Sequence, residues 1–201
     1  MAIVKNGLVV EDIWQPLGGR DPVSLDAATP LLVSPSDLVE HSDAFTRFTC
    51  LGLVLAPADD TRDIAGLLDR LDLVVVTFPK FNDGRAFSQA RLLRDAHGFT
   101  GEIRAGGHIL LDQFSFLRRS GVDAIEVPHD CLAETWATAW DAEAVRFKGT
   151  YQPAFGLDTN RTPPGEVSTS PRCSAKSTTV RDVSVRVPPA HDPSWAGAWG
   201  Y

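Results

Sequence analysis

The chain has 201 residues, of which 43% are apolar and 22% are charged, a composition typical of a globular protein and not of a disordered or collagen-like one. Its 19 basic and 26 acidic side chains give a formal net charge of −7 without any basic stripe, so we expect no nucleic-acid partner. No apolar run approaches the roughly 18 residues of a membrane helix, and the start lacks an apolar core of signal-peptide length. We therefore expect a cytoplasmic protein that does not bind a membrane.

Three cysteines, Cys50, Cys131 and Cys173, lie far apart in the sequence and form no C-x-x-C motif. They cannot supply the four thiolates of an iron–sulfur cluster or of an all-cysteine zinc site. The sequence also has no G-x-G-x-x-G motif and no P-loop motif for a nucleotide. We therefore predict no metal and no redox cofactor.

The chain opens with the pattern of a β-hairpin. Two short apolar runs, 3–5 and 8–10, flank Asn6-Gly7, a pair that tolerates the positive φ angles of a type I′ turn. A stretch rich in Gly, Pro and Asp follows over residues 15–30, and we predict a linker there.

From Leu31 onward, short apolar runs alternate with helical patterns. The first helix is indicated by Ser34 as an N-cap with Pro35 in the first position, and the last helix carries Trp136 and Trp140 at helical spacing in its core face. The predicted strands are 31–33, 51–55, 73–76, 102–104 and 124–127, and the three helices between the first and the last are predicted around 61–71, 86–97 and 109–119.

Five repeats of strand and helix predict an α/β domain with a parallel sheet of about five strands and flanking helices. We favour an open, doubly wound sheet over half of a barrel, although the spacing does not decide between them. Residues 156–201 are rich in Pro, Ser and Thr, and they lack the apolar surface to offset an ordering entropy of roughly 1–2 kcal/mol per residue. We predict an α/β domain over residues 1–155 and a flexible tail over 156–201.

Charged residues cluster after the third and fourth predicted strands. Lys80, Asp83 and Arg85 follow the third strand, and Arg104 and His108 follow the fourth. Because adjacent parallel strands end at one edge, where helix N-termini favour anions, these groups predict a pocket for a small oxyanion. Lys80 and Arg85 would supply charge, Arg104 would act as a bidentate fork, and Asp83 would orient Arg85.

A purely structural interpretation of the same residues stays open. Asp83 could cap the helix that begins near Gly84, and Arg85 could simply pair with Asp83 or Asp112. His108 and Asp112 are weak candidates for an acid–base pair in catalysis.

Several segments resemble a bacterial family of uncharacterised proteins, domain of unknown function 934 (DUF934). The resemblance covers about residues 1–155 and excludes the tail. The segments that carry it are Phe78-Pro79-Lys80-Phe81, Asp83-Gly84-Arg85, Ala90-Arg91-Leu92-Leu93-Arg94, Gly101-Glu102-Ile103-Arg104-Ala105 and Asp112-Gln113.

The resemblance implies a role in sulfur assimilation, because family members tend to be encoded beside assimilatory sulfite reductase and are often described as oxidoreductases of sulfite reduction. The residues argue against the enzymatic part, since sulfite reduction needs siroheme and an iron–sulfur cluster that no thiolate set here could hold. We therefore expect an accessory protein that binds a small sulfur oxyanion or an anionic intermediate. The candidate anion-binding residues are Lys80, Asp83, Arg85, Arg104 and Gln113.

Two other functions stay open at this point. One is a non-enzymatic docking partner of sulfite reductase or of its electron donor, and the other is an α/β enzyme for an anionic metabolite with His108 or Asp112 as acid or base. Two positions depart from the family pattern, since His108 stands where an Asp is usual and Leu111 where an Arg is usual.

Overall fold

The computed structural model describes residues 2–128 and 131–147. The whole of the predicted tail, residues 156–201, lies outside the described residues, as do residues 148–155. The eight strands are β1 (Ala2–Lys5), β2 (Leu8–Glu11), β3 (Gln15–Pro16), β4 (Leu31–Val33), β5 (Leu51–Leu55), β6 (Leu73–Phe78), β7 (Glu102–Gly107) and β8 (Ala124–Glu126). The α-helices are α1 (Pro35–Glu40), α2 (Arg85–Asp95), α3 (Phe114–Arg119) and α4 (Ala133–Phe147).

Two local predictions are confirmed in detail. β1 and β2 form an antiparallel hairpin in which Asn6 and Gly7 have φ angles of 52° and 77°, as a type I′ turn requires. Ser34 caps α1 through a capping box, because its Oγ accepts from the Asp37 N–H while the Asp37 carboxylate accepts from the Ser34 N–H.

The mixed α/β architecture is confirmed, but the sheet is larger than predicted. Its strand order is β2-β1-β8-β7-β6-β5-β4-β3, with β3 to β8 mutually parallel and the hairpin added antiparallel to β8. The parallel run has six strands because Gln15–Pro16, inside the predicted linker, pairs with Leu31–Leu32. Two helical predictions also change: Ala65–Arg70 is a 3₁₀ helix, and 109–119 is reduced to a short 3₁₀ turn at Leu111–Gln113 followed by α3.

The sheet is not doubly wound. From β3 to β8 each strand lies directly beside its predecessor, so every crossover moves in one direction across the sheet. Right-handed crossovers that all move the same way place their helices on one face, whereas a doubly wound sheet needs a reversal of direction. The prediction of a doubly wound sheet was wrong because the spacing of strands and helices along the chain does not show in which direction each crossover moves.

The sheet curls into an open half-barrel. Residues 12–14 alone connect β2 at one edge to β3 at the other, and this connection can span at most about 14 Å. Seven spacings between eight flat strands would instead separate the two edges by about 34 Å. The connection crosses the face opposite the helices, which we call the interior face, and the ring of Trp14 lies there against Gly52.

Each face of the sheet has its own packing. On the helical face, Val74, Val76 and Ile103 join the main core with Ala90 and Leu93 of α2, and the predicted core residues Trp136 and Trp140 are 3% and 4% exposed. The interior face holds a small second cluster of Leu32, Leu73 and Val75 with Trp14 and Val54 packed against it. Charged side chains of β1 and β7 lie beside this cluster on the same face.

Candidate functional site

The carboxyl ends of β6 and β7 lie side by side in the middle of the sheet. We call this carboxyl end of the two strands the edge, as distinct from the lateral edges formed by β2 and β3. Phe78 and Gly107 are register partners, and the His108 N–H donates to the Phe78 carbonyl at 2.7 Å. Gly107 has a φ of 97°, and a Cβ there would collide with the Phe78 backbone, so this close approach requires glycine. The loops that follow the two strands are therefore held together.

The first of these loops carries Lys80, Asp83 and Arg85. A turn closes it, with the Asp83 N–H donating to the Lys80 carbonyl at 3.0 Å. Arg85 binds Asp83 in a fork, Nε to Oδ1 at 3.0 Å and Nη2 to Oδ2 at 2.7 Å. The hydrogen bonds from Arg85 hold the pKa of Asp83 below its usual range, and Asp83 raises the pKa of Arg85. The pairing of Arg85 with Asp83 is thus as the structural interpretation anticipated.

The second loop is joined to the first through Gln113. Its amide Nε2 donates to the Phe81 carbonyl at 2.6 Å, while its Oε1 accepts from the Leu110 N–H at 3.1 Å. The ring of His108 contacts the ring of Phe81 at 5.8 Å between centroids. Both the His108 and the Asp112 side chains are exposed at this edge.

Arg104 is not at this edge. It pairs in register with Val75, three residues before β6 and β7 end, which places its Cα about 10 Å from the edge. Its neighbours Ile103 and Ala105 face the helices, so the Arg104 side chain lies on the interior face. The structure therefore brings Lys80, Asp83, Arg85, His108 and Gln113 to one edge and keeps Arg104 apart from them.

Arg104 is already bound by two carboxylates. Its Nε and Nη2 donate to Glu102 Oε1 at 3.0 and 2.9 Å, and its Nη1 donates to Asp12 Oδ1 at 3.0 Å. Lys5 Nζ reaches the other oxygen of Glu102 at 2.6 Å. Only 5% of the Arg104 side chain is exposed, so this ion network is largely withdrawn from water.

Burial and charge act against each other in this network. Burial opposes the ionisation of Glu102, but the charges of Arg104 and Lys5 outweigh it and hold the pKa of Glu102 below its ordinary value. Burial likewise disfavours the charged form of Arg104, and Glu102 and Asp12 overcome this to raise its pKa. Glu102 and Arg104 are therefore both charged in the folded protein.

Glu126 is a further charged residue of the interior face, and its pKa shifts in the opposite direction from that of Glu102. Burial raises its pKa, Arg104 offsets part of that rise, and Asp12 adds to it. Its carboxylate occupies the space where a Cβ at Gly106 would stand, with Val75 3.2 Å from the same point. Because residue 106 is glycine, this half-buried carboxylate can pack directly against the β7 backbone.

Sequence reasoning missed four members of this network: Lys5, Asp12, Glu102 and Glu126. A signal was present, because Glu102, Arg104 and Gly106 alternate with the apolar Ile103 and Ala105 over five residues. That period-two pattern indicates a strand with one polar face. It went unused because the strand was predicted to end at Arg104, which turned a mid-strand residue into an end-of-strand residue.

The chemistry available differs between the two regions. The edge offers exposed cations beside the amino end of α2, where the Arg85 N–H donates to Asp83 Oδ1 at 3.3 Å. Among residues 2–128 and 131–147 no group of three or more His, Cys, Asp or Glu side chains could hold a metal ion. No helix in the same part of the chain has the length and apolar character to cross a membrane.

Comparison with known proteins gives one family. No curated protein matches the chain. Residues 52–161, just over half of the chain, match the family described as bacterial protein of unknown function (DUF934). The matched region contains all but the first residue of β5, the strands β6 to β8, the two edge loops and Arg104, and it leaves out the hairpin that supplies Lys5. The expected family is thus confirmed: the chain belongs to the bacterial DUF934 family.

Proposed function

We propose that this protein is a cytoplasmic accessory factor of assimilatory sulfite reduction that binds a small sulfur oxyanion at the edge formed by β6 and β7. The observation that carries the proposal is the convergence of Lys80, Arg85 and the amino end of α2 on that edge. In the part of the chain that the structure describes, no carboxylate pairs with Lys80. An exposed ammonium group beside the amino end of a helix favours an anion.

Each residue has a separate task in this proposal. Lys80 supplies charge, and Arg85 supplies a planar donor that Asp83 holds in place. Gln113 acts as a positioning residue, because it ties the Lys80 loop to the loop after β7. We leave Arg104 out of the ligand set, since its guanidinium group already serves Glu102 and Asp12.

Thermal unfolding of the purified protein tests the binding step. We expect millimolar sulfite to raise Tm relative to sodium chloride at equal ionic strength, because a ligand that binds only the folded state stabilises it. Lys80→Ala and Arg85→Ala should each remove most of the shift. Arg62→Ala is a matched control, since Arg62 is exposed and forks to an Asp two residues earlier, as Arg85 does.

The outcome can refute the proposal in two ways. A Tm that sulfite leaves unchanged would remove the binding step, and an equal shift in all three variants would show nonspecific salt binding. The physiological role has its own test. A strain that lacks the protein should grow poorly on sulfate or sulfite and normally on cysteine, and the Lys80→Ala gene should fail to restore growth.

A further inference from the structure

Exposed apolar side chains are concentrated around the same edge of the sheet. Among the described residues nine large hydrophobic side chains are exposed, and four of them follow β6 and β7. We call these four residues, Phe81, Leu110, Leu111 and Phe116, the apolar rim. Exposed apolar side chains concentrated in one region of a protein surface mark a site of interaction.

The two aromatic members of the rim are held rigidly although half of each is exposed. Phe81 is 48% exposed, its carbonyl accepts from Gln113, and its ring contacts His108. Phe116 is 54% exposed, and its ring packs on Phe87 at 4.7 Å between centroids. Phe87 in turn packs on the buried Phe78 at 4.9 Å. Aromatic side chains fixed in advance lose little entropy on binding and serve as the anchors of protein interfaces.

The charge around the rim indicates which partner it fits. Lys80 is exposed and directly precedes Phe81, and Arg119 lies one helical turn from Phe116. Arg85 pairs with Asp83 in the same loop, and Asp112 is exposed next to Leu111. Three cations thus stand against two carboxylates beside the rim, and complementary charge selects an acidic partner.

We propose that the apolar rim is a docking surface for an acidic protein segment that carries aromatic or aliphatic side chains. The apolar groups of that segment cover Phe81 and Phe116, and its carboxylates face Lys80 and the neighbouring arginines. Rim-to-rim contact between two copies is disfavoured because it brings like charges together. The proposal does not depend on oxyanion binding.

Fluorescence anisotropy with two labelled synthetic peptides tests the proposal. One peptide alternates Glu with Phe and Leu, and the other has Lys in place of every Glu. We expect the acidic peptide alone to bind, more weakly as salt is raised, and about tenfold more weakly to Phe81→Ser or Phe116→Ser. Val39→Ser is the matched control, because Val39 is 84% exposed on α1 and lies outside the rim.

Each result decides for or against the docking surface. Binding of neither peptide, equal binding of both, or binding that the two serine variants leave intact would overturn the proposal. Sedimentation that shows self-association lost in the same variants would assign the rim to a second copy instead. Lys80→Glu tests the charge without touching the aromatic packing, and it should weaken the acidic peptide and favour the basic one.

Discussion

Arg85 and Arg104 are both bound by carboxylates, yet their surroundings differ completely. The Arg85 side chain is 62% exposed and pairs with one carboxylate two residues away in the sequence. The Arg104 side chain is 5% exposed and pairs with Glu102 and with Asp12, which lies 92 residues away. An exposed pair exchanges partners readily and contributes little to stability, whereas a buried network is bound to the fold. The two arginines thus separate an exposed region, where we propose that a ligand binds, from a buried region that belongs to the structural interior.

The largest effect that tests this comparison is expected from Arg104→Met. The substitution leaves Glu102 and Asp12 buried without their partner, and we expect the free energy of unfolding to fall by about 3–5 kcal/mol. Arg85→Met should leave it unchanged, because water replaces the exposed guanidinium group. Urea denaturation of both variants measures the contrast. Equal losses in the two variants would mean that burial does not distinguish the two arginines.

Gly106→Ala is expected to have a smaller effect on the same network. The new Cβ would collide with the Glu126 carboxylate, and forcing that side chain away should cost about 1–3 kcal/mol. In a Glu126→Ala background the cost should largely disappear, so a double-mutant cycle identifies the contact. Gly66→Ala provides the control, since no atom lies within 4 Å of its Cβ position. An unchanged cost in the Glu126→Ala background would place the strain elsewhere in β7.

Glu126→Gln should have a smaller effect, and its size depends on pH. Because folding raises the pKa of Glu126, the ionised carboxylate destabilises the folded state at neutral pH. Removing the charge should therefore increase the free energy of unfolding at pH 7. The gain should disappear as the pH falls to the ordinary carboxyl pKa of 4.5, where wild-type Glu126 is protonated.

Glu102→Gln should show the opposite sign in the same titration. Folding lowers the pKa of Glu102, so its carboxylate stabilises the folded protein at pH 7, and this contribution is lost as the pH falls below 4.5. Urea unfolding of the two variants across pH 3–7 provides the measurement. If both substitutions change the free energy of unfolding in the same direction, then nearby cations do not outweigh burial at Glu102 alone, and the assignment is wrong.

Local patterns predicted the local structure well. The Asn6-Gly7 turn and the Ser34 cap follow from contacts within a few residues. The pairing of Arg85 with Asp83 belongs to the same class. The strands β4 to β8 were predicted from short apolar runs in the sequence. The edge loops after β6 and β7 were identifiable because parallel strands end together.

Nonlocal pairing defeated the same reasoning. Gln15–Pro16 has no strand pattern and is a strand only because β4 offers it a free edge. Asp12 and Lys5 bind the β7 residues Arg104 and Glu102 across more than 90 residues of sequence. No periodicity links such positions, so Arg104 was grouped with the wrong cations.

The sequence by itself determined most of the strands and helices, the turn and cap residues, the absence of a redox motif and the family, because these depend on neighbouring side chains. Only the tertiary structure decided the strand order, the curl of the sheet and the confinement of Arg104 to its interior face. Those features depend on which strand edges meet and on where the distant Asp12 can join Glu102 to neutralise a buried guanidinium group. The interaction of Arg104 with its carboxylates forms only in the folded sheet, so no single stretch of the chain determines its energy.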